Sequence, residues 1–418
     1  MAASRCCAGS IPAASSRATS LCFTTTTSTR SRPWRRCCPS GANGAEASRG
    51  CSSVERSTPM RILYHHRTQG EEPESVHIAS IVAALRRRGH DVDVVGPVPL
   101  GAAREPAKSS SIARVKGAMP RVLVELAQLA YNVRSLWQLF VRLRRSRYDF
   151  IYERYALYNV AGLIAARMFG LVLILEVNTP YARAWGKYYG LRFARLARAL
   201  ERYIFRQADA IITVTEAQRA LLEEAGVAAE RITVCHNAID PQEFHPARNS
   251  AKSLRHTLGL PAITVGFVGT MNRWQGVQGF ADVIQRVVAQ RGDVGFLFVG
   301  DGEHRGPLQA ELKRRGVEHA AIFVGRQAHA AIPEFLAAMD IGVLLDSNAY
   351  GSPMKVFEYW AMSQAVVAPT VPPVLEIVRD GETGLLIAPG DTEAMARQIL
   401  RLAADPQLRA RLGEAGRK

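Results

Sequence analysis

The chain has 418 residues, 53 Lys and Arg against 37 Asp and Glu for a formal charge of +16, and 48% hydrophobic residues. That length suits two domains with sizeable cores, and the lack of any charge-free apolar run of about 18 residues argues against a membrane-spanning helix. The basic balance suits phosphorylated substrates, nucleic acid or an anionic membrane surface, but no nucleic-acid motif accompanies it.

Six of the seven cysteines (Cys6, Cys7, Cys22, Cys37, Cys38 and Cys51) precede Met60, and only Cys235 lies in the body. The body therefore has no disulfide framework, which points to a reducing compartment. The early cysteines lack the CxxC spacing of a zinc site. Residues 1–59 are rich in Ser, Thr, Ala and Arg, hold only Glu46 and Glu55 as acids, and show no hydrophobic period. This segment is expected to be disordered, either as a transit-like tail or as a non-native extension ahead of a start at Met60. It is left out of the fold argument.

From Met60 the chain alternates strands and helices. Arg61–Tyr64 reads as a buried strand, the loop from His65 to Gly70 follows, and Val76, Ile78, Ala79, Ile81, Val82 and Leu85 repeat at helical spacing. Gly89-His90 stops that helix before the strand Asp91–Val95, giving a βαβ unit with a glycine in the loop after its first strand. Asp91 and Asp93 spell DxD, but both fall inside a strand, so a structural role is expected rather than a metal site. His65 and His66 have no spaced partners that would make them metal ligands. Arg121 to about Arg145 reads as a long helix ending in Arg142, Arg144, Arg145 and Arg147. It is either a core helix with a solvated basic end or a basic amphipathic surface that touches anionic lipid. Tyr148–Tyr152 is a strand followed by Glu153, Arg154 and Tyr155, and Leu171–Val177 is a strand followed by Asn178. Arg183 to Arg206 reads as one basic helix. Ala208–Val214 and Ile232–Cys235 are strands, with a helix starting at Thr215.

Residues 244–260 hold Pro246, Asn249 and Ser250 and read as a linker. The alternation then restarts, with strands Ile263–Val268, Gly295–Val299, Ala321–Val324, Asp340–Leu344, Ala365–Ala368 and Leu385–Ile387. Several of these strands end in glycines, among them Gly269, Gly300 and Gly325, which let backbone approach a phosphate. The stretch from Ala349 to Trp360 reads as a glycine turn, a cap at Ser352, Pro353 at the first helical position, and a helix. The N–H groups of its first turn, from about Met354 to Val356, together with Lys355, favour an anion. Glu358, one turn on, could accept hydrogen bonds from two adjacent hydroxyls. The plainer alternative is a capped helix with a surface Lys/Glu pair. The expected fold is α/β: two Rossmann-like, doubly wound parallel-sheet domains (60–243 and 261–418) facing across a cleft, the second on the nucleotide side.

Five motifs occur in order on this framework: Gly70…His77…Gly89-His90-Asp91-Val92; His236-Asn237-Ala238-Ile239-Asp240-Pro241; Val299-Gly300-Asp301-Gly302; Phe323-Val324-Gly325-Arg326; and Ser352-Pro353-x-Lys355-x-Phe357-Glu358-Tyr359, with Pro369 and Glu376–Gly384 downstream. The set resembles the retaining GT-B glycosyltransferases of family 4, also called glycosyl transferases group 1. The resemblance runs from Met60 to near the end of the chain. It implies transfer of a sugar from a nucleotide-diphosphate sugar to an acceptor hydroxyl with retention of configuration, without metal and with no cofactor beyond the donor substrate. It assigns donor binding to Gly269, Arg273, Gly325, Arg326, Ser352, Pro353, Lys355, Val356, Glu358 and Glu376. Within that set Glu358 holds the ribose hydroxyls, the helix start faces the diphosphate, and the base lies near Gly325 and Arg326. Gly70, Glu153 and Arg154 fall on the acceptor side, and His77 and Asn178 fall beside the reacting sugar. His77 reads equally as a core histidine, Glu153 and Arg154 as a structural pair, and Glu376 as a helix cap.

The chain departs from the family pattern at three places. Tyr350 stands where the first of two glutamates eight apart is expected, Asn178 where a histidine is frequent, and Thr270 and Gln275 where Arg and Lys are frequent. The family's closing helix, which crosses back to the first domain, has no room, so a truncated C-terminus is expected. The expected role is a cytoplasmic transferase of polysaccharide or glycolipid assembly. Its partners would be a nucleotide-diphosphate sugar, a sugar or lipid-linked acceptor and an anionic inner membrane face, with no nucleic acid. The alternatives are an epimerase-like enzyme and a catalytically weak sugar-nucleotide-binding protein.

Overall fold

Apolar strand runs and amphipathic helices alternate along the chain, and in the computed structural model they assemble into two parallel six-stranded sheets. The structure describes residues 58–68, 73–97, 120–188, 190–246 and 251–418, so the expected N-terminal extension falls outside the described residues apart from its last two positions. The first sheet holds β1 (Arg61–His65), β2 (Asp91–Val95), β3 (Phe150–Arg154), β4 (Val172–Val177), β5 (Ala210–Thr213) and β6 (Ile232–Val234), in the order β2-β1-β3-β4-β5-β6. The second holds β7 (Ile263–Val268), β8 (Val294–Val299), β9 (Ala321–Gly325), β10 (Ile341–Val343), β11 (Ala365–Pro369) and β12 (Leu385–Ile387), in the order β12-β11-β10-β7-β8-β9. The strand order reverses between β1 and β3 and again between β7 and β10. In such sheets the crevice beyond the carboxyl ends at the reversal is where ligands bind.

Helices α1 (Pro73–Arg87), α2 (Arg121–Arg145), α3 (Ala161–Phe169), α4 (Tyr181–Tyr188), α5 (Ala194–Gln207) and α6 (Glu216–Glu224) belong to the first sheet. Ile78 and Val82 of α1 pack on one face, against Ile62, Tyr64 and Tyr152. Leu139 and Leu143 of α2, Leu163 of α3, Phe205 of α5 and Leu222 of α6 pack on the other. Helix α7 (Lys252–Leu258) precedes the second sheet, which carries α8 (Phe280–Val288), α9 (Arg305–Arg314), α10 (Ile332–Ala337), α11 (Met354–Ala361), α12 (Pro372–Leu375), α13 (Thr392–Ala404) and α14 (Pro406–Arg417). Its core lies in two layers, with α8, α9, α13 and α14 on one face and α10, α11 and α12 on the other.

Some boundaries differ from the sequence reading. The basic segment after β4 is two helices, α4 and α5, because Gly190 at φ 71° takes a left-handed conformation that breaks the run. The linker is partly helical: Leu254 and Leu258 of α7 pack on the second core, and Arg255 donates to the carbonyls of Ala338 and Pro261. Strand β3 extends through Arg154, so Glu153 and Arg154 belong to the sheet. Asp91 and Asp93 lie in β2 and pair with Arg61, and Asp93 also accepts from the Tyr148 hydroxyl. Asp91 opens its strand at the amino edge, opposite the crevice. Among the described residues no helix is long and apolar enough to cross a membrane.

Candidate active site

On the second domain the site is built at the reversal between β7 and β10. Strand β7 is buried along its whole length and ends at Gly269, whose φ of 137° suits only glycine. A side chain at Gly269 would collide with the Lys355 stem, so the glycine makes room for this lysine. Tyr359, on α11, fixes the helix over the sheet. Its hydroxyl accepts from Val268 N (3.1 Å) and donates to the Gly266 carbonyl (3.1 Å), and its ring packs where Gly342 has no side chain. The two backbone groups of β7 are thereby satisfied by a residue next to Glu358.

Lys355 and Glu358 share the crevice-facing side of α11. The Lys355 ammonium lies 5.5 Å from the Phe267 ring centroid. With its amide oxygen turned toward the lysine, Gln275 accepts from Nζ at 2.7 Å and donates to the Thr270 carbonyl. Burial lowers the Lys355 pKa, an effect the nearby Glu358 charge opposes. Burial also pushes the Glu358 carboxyl up to about 7, partly offset by Lys355. An ammonium and a carboxyl, both half-buried, flank a glycine turn at the carboxyl edge.

The helix start differs from the expected cap. Pro353 is the N-cap and makes no side-chain cap bond. Met354 N donates to the Ser352 carbonyl and Val356 N to the Pro353 carbonyl, while the Val356 side chain lies in the core. The anion attraction therefore rests mainly on Lys355 rather than on a row of open N–H groups. Gly325 (φ 73°) and Arg326 close β9, two strands from β7, with Arg326 exposed. The structure describes Arg273 only by its backbone, in the short turn Arg273–Gln275. Gly70 lies outside the described residues.

Two contacts with the first domain close on this region. Glu376 follows α12, and its carboxylate accepts from Glu216 N (2.9 Å) and Ala217 N (2.8 Å) in the first turn of α6. Thr215, the N-cap of α6, donates its hydroxyl to the Tyr350 carbonyl (2.7 Å) and accepts from Gln218 N. Glu376 thus caps a helix of the first domain, where a carboxylate is favoured. Glu376→Ala is expected to speed hydrogen exchange at the Glu216 and Ala217 amides about tenfold, in line with loss of a cap. Unchanged exchange at those amides, read by mass spectrometry, would remove the contact.

On the first domain, charged residues gather where β1, β3 and β4 end. The register sets His65 beside Glu153 and Arg154 beside Glu176. Glu176 is the hub. Its Oε1 accepts from Arg154 Nη1 (2.6 Å), Asn178 Nδ2 (2.6 Å) and His77 Nε2 (2.9 Å), and its Oε2 from the Tyr64 hydroxyl (3.1 Å). Burial raises its pKa, but the His77 hydrogen bond, the Arg154 charge and the Asn178 hydrogen bond hold it down at about 2. His77 and Asn178 therefore share one anchor, and His77 keeps part of its side chain exposed. Glu153 is fully buried, paired to His65 at 2.5 Å and pressed against Gly162. His66 is buried too, and burial lowers its pKa to about 4, so it is neutral near pH 7. Sequence reasoning missed Glu176 and the His65–Glu153 pair. The available signal was three neighbouring apolar strands that all end in charged residues.

Residues 75–243 match the family described as Glycosyltransferase Family 4, and residues 262–405 match Glycosyl transferases group 1. Together the two matches cover well over half of the chain. The chain belongs to the family 4, group 1 glycosyltransferases. Among relatives of this glycosyltransferase chain, the alpha-D-kanosaminyltransferase of Streptomyces kanamyceticus is 27% identical over 260 residues, 60% of this chain and 66% of the relative. The match thus spans just under two thirds of that relative's length. The sucrose-phosphate synthase of Thermosynechococcus elongatus shares the fold at TM-score 0.68 and 19% identity, covering 86% of this chain and 93% of that one. Anabaena HepE, crystallised with UDP and glucose, shares it at TM-score 0.61 and 19% identity, covering 86% and 94%. The two sheets are the paired Rossmann-like domains of the GT-B glycosyltransferases.

Proposed function

We propose that the protein moves a sugar from a nucleotide-diphosphate sugar to an acceptor hydroxyl with retention of configuration and without a metal, in polysaccharide or glycolipid assembly at the inner membrane face. The observation that carries this reading is the half-buried Lys355 packed against Gly269, with Glu358 one turn on along the same helix. Lys355 faces the diphosphate and gains strength from its low-dielectric surroundings as negative charge grows on the leaving phosphate. Glu358 accepts from the ribose hydroxyls. HepE, with the same fold, was crystallised with UDP and glucose, in keeping with a nucleotide-sugar donor.

On the acceptor side, Glu176 orients His77 and Asn178 and keeps their donors committed to one carboxylate. The Asn178 amide oxygen is buried and makes no bond of its own within the protein, so of the two residues it is His77, part of whose side chain is exposed, that meets the acceptor. The departing phosphate takes the proton from the acceptor, so no protein base is needed. Catalysis then rests on positioning and electrostatics. A panel of nucleotide-sugars, assayed for transfer with the product anomer read by NMR, tests the reading. A retained anomer is expected, and an inverted one would refute it.

Because the free Glu358 carboxyl titrates near pH 7 and the ionised form is the better acceptor, donor affinity is expected to rise as pH increases through about 7 and then level off. Glu358→Gln should flatten this profile. A pH-independent dissociation constant in the parent protein, measured by calorimetry, would contradict the assignment.

A further inference from the structure

Helices α2, α3 and α5 lie side by side on one face of the first sheet. Glu125 of α2 accepts from Arg192 N and Phe193 N at the head of α5, and Arg167 of α3 donates to the Gln207 carbonyl at its end. Their outward sides are unusual for helices that face water. Of the ten large hydrophobic residues exposed among the described residues, eight sit on these three helices. Val133 is 76% exposed, Trp137 66% and Met168 58%. Trp137 stacks on Phe140, Phe140 meets Phe169 edge-on, and the Arg144 guanidinium covers the Phe140 ring. The apolar surface is therefore continuous from α2 to α3 and joined to a cation.

The charge on this face has one sign. Arg134, Arg144 and Arg145 are exposed on α2, and Arg198 and Arg202 on α5. The only carboxylates on the three helices are Glu125 and Glu201, which are 3% and 7% exposed and bonded inward. Elsewhere the outer helices mix signs, as Glu393 and Arg397 do on α13. An outer surface that combines exposed Trp and aliphatic groups with arginines and no exposed acid has the composition of an interfacial helix face. Its cations complement lipid headgroups of negative charge.

We infer that the outer face of α2, α3 and α5 docks the protein on an anionic phospholipid bilayer. Trp137, Val133 and Met168 enter the interface, and the arginines meet the phosphates. Helix α2 leads into β3 and α5 into β5, so both end at the amino edge of the sheet and start on the side of its carboxyl edge. The docked face supplies the membrane contact that the proposed function assumes, and to that extent rests on that reading.

Flotation of the full chain with vesicles, without any sugar donor, tests this independently of transfer activity. The chain is expected to float with mixed phosphatidylcholine and phosphatidylglycerol and to stay unbound with phosphatidylcholine alone, with binding to the mixed vesicles reversed by high salt. Replacing Arg134, Arg144 and Arg145 together by Gln should weaken binding on the order of a hundredfold, and Trp137→Ser about tenfold. Circular dichroism of both variants should be unchanged, since the side chains are exposed. Absent binding to anionic vesicles, binding that the variants do not alter, or a Trp137-dependent dimer in place of lipid binding would each overturn the inference. Transfer to a soluble acceptor is unaffected in every case, which separates failure of docking from failure of the catalytic reading.

Discussion

Glu176→Ala is expected to destabilise the first domain by about 3–5 kcal/mol, because it strands a buried guanidinium without its counter-charge. Arg154 is 7% exposed and its bond to Glu176 is the principal compensation for that burial. The same removal frees Asn178, His77 and the Tyr64 hydroxyl from their common acceptor. The pH dependence has a fixed sign. The folded pKa of Glu176, about 2, lies below the ordinary value of 4.5. The folded state therefore binds fewer protons than the unfolded one across that window, and the stabilisation, about 3 kcal/mol, is present above it and lost as pH falls. Urea denaturation of parent and variant at neutral and acid pH measures both effects. A variant as stable as the parent at neutral pH would contradict the hub. Glu176→Gln keeps the hydrogen-bond acceptor but not the charge, and should fall between the two.

The second large effect concerns the donor. Glu358→Ala is expected to weaken donor binding by roughly 1.5–3 kcal/mol, or about ten- to a hundredfold, the worth of a charge-assisted bond to hydroxyls. The fold should not suffer. Glu358 ionises reluctantly where it stands because burial pushes its carboxyl to about 7, so its removal relieves a desolvated group rather than breaking an ion pair. A variant that binds less and folds as well, or better, is the signature of a residue kept for a ligand. Donor affinity unchanged in Glu358→Ala would remove the central assignment on the second domain.

Much of the architecture was legible in the residues. Continuous apolar runs such as Ile263–Val268 and Gly295–Val299 mark strands buried on both faces, and their glycine ends mark the ligand edge. Lys355 and Glu358 were legible because helical spacing alone puts them on one side of α11. What the sequence hid depends on register or on contacts across the chain. Glu176 becomes a hub only once β1, β3 and β4 align so that His65, Glu153, Arg154 and Glu176 end together. Glu376 reads locally as the end of a short helix, and its partners are backbone N–H groups of α6 in the other domain. The proline at 353 was expected one step inside the helix, but tight bonds from Met354 and Val356 to the two preceding carbonyls move the cap to Pro353 itself. Tyr350, silent as a replaced glutamate, contributes through its carbonyl, which Thr215 holds. Helical spacing counts Val133 and Trp137 among the apolar residues of α2 and does not separate a core helix with a solvated basic end from a basic surface that touches anionic lipid. In the structure both side chains are exposed, while Leu139 and Leu143 are buried.

The central claim is that Lys355, set against Gly269, binds a diphosphate. It is tested most directly by calorimetric titration of the full chain with nucleoside diphosphates and their matching nucleosides, for the parent and for Lys355→Met. One diphosphate is expected to bind at least about a hundredfold tighter than its nucleoside to the parent, and Lys355→Met should erase most of that difference while leaving nucleoside affinity intact. A diphosphate that binds no better than its nucleoside, or an advantage that survives Lys355→Met, would contradict the account.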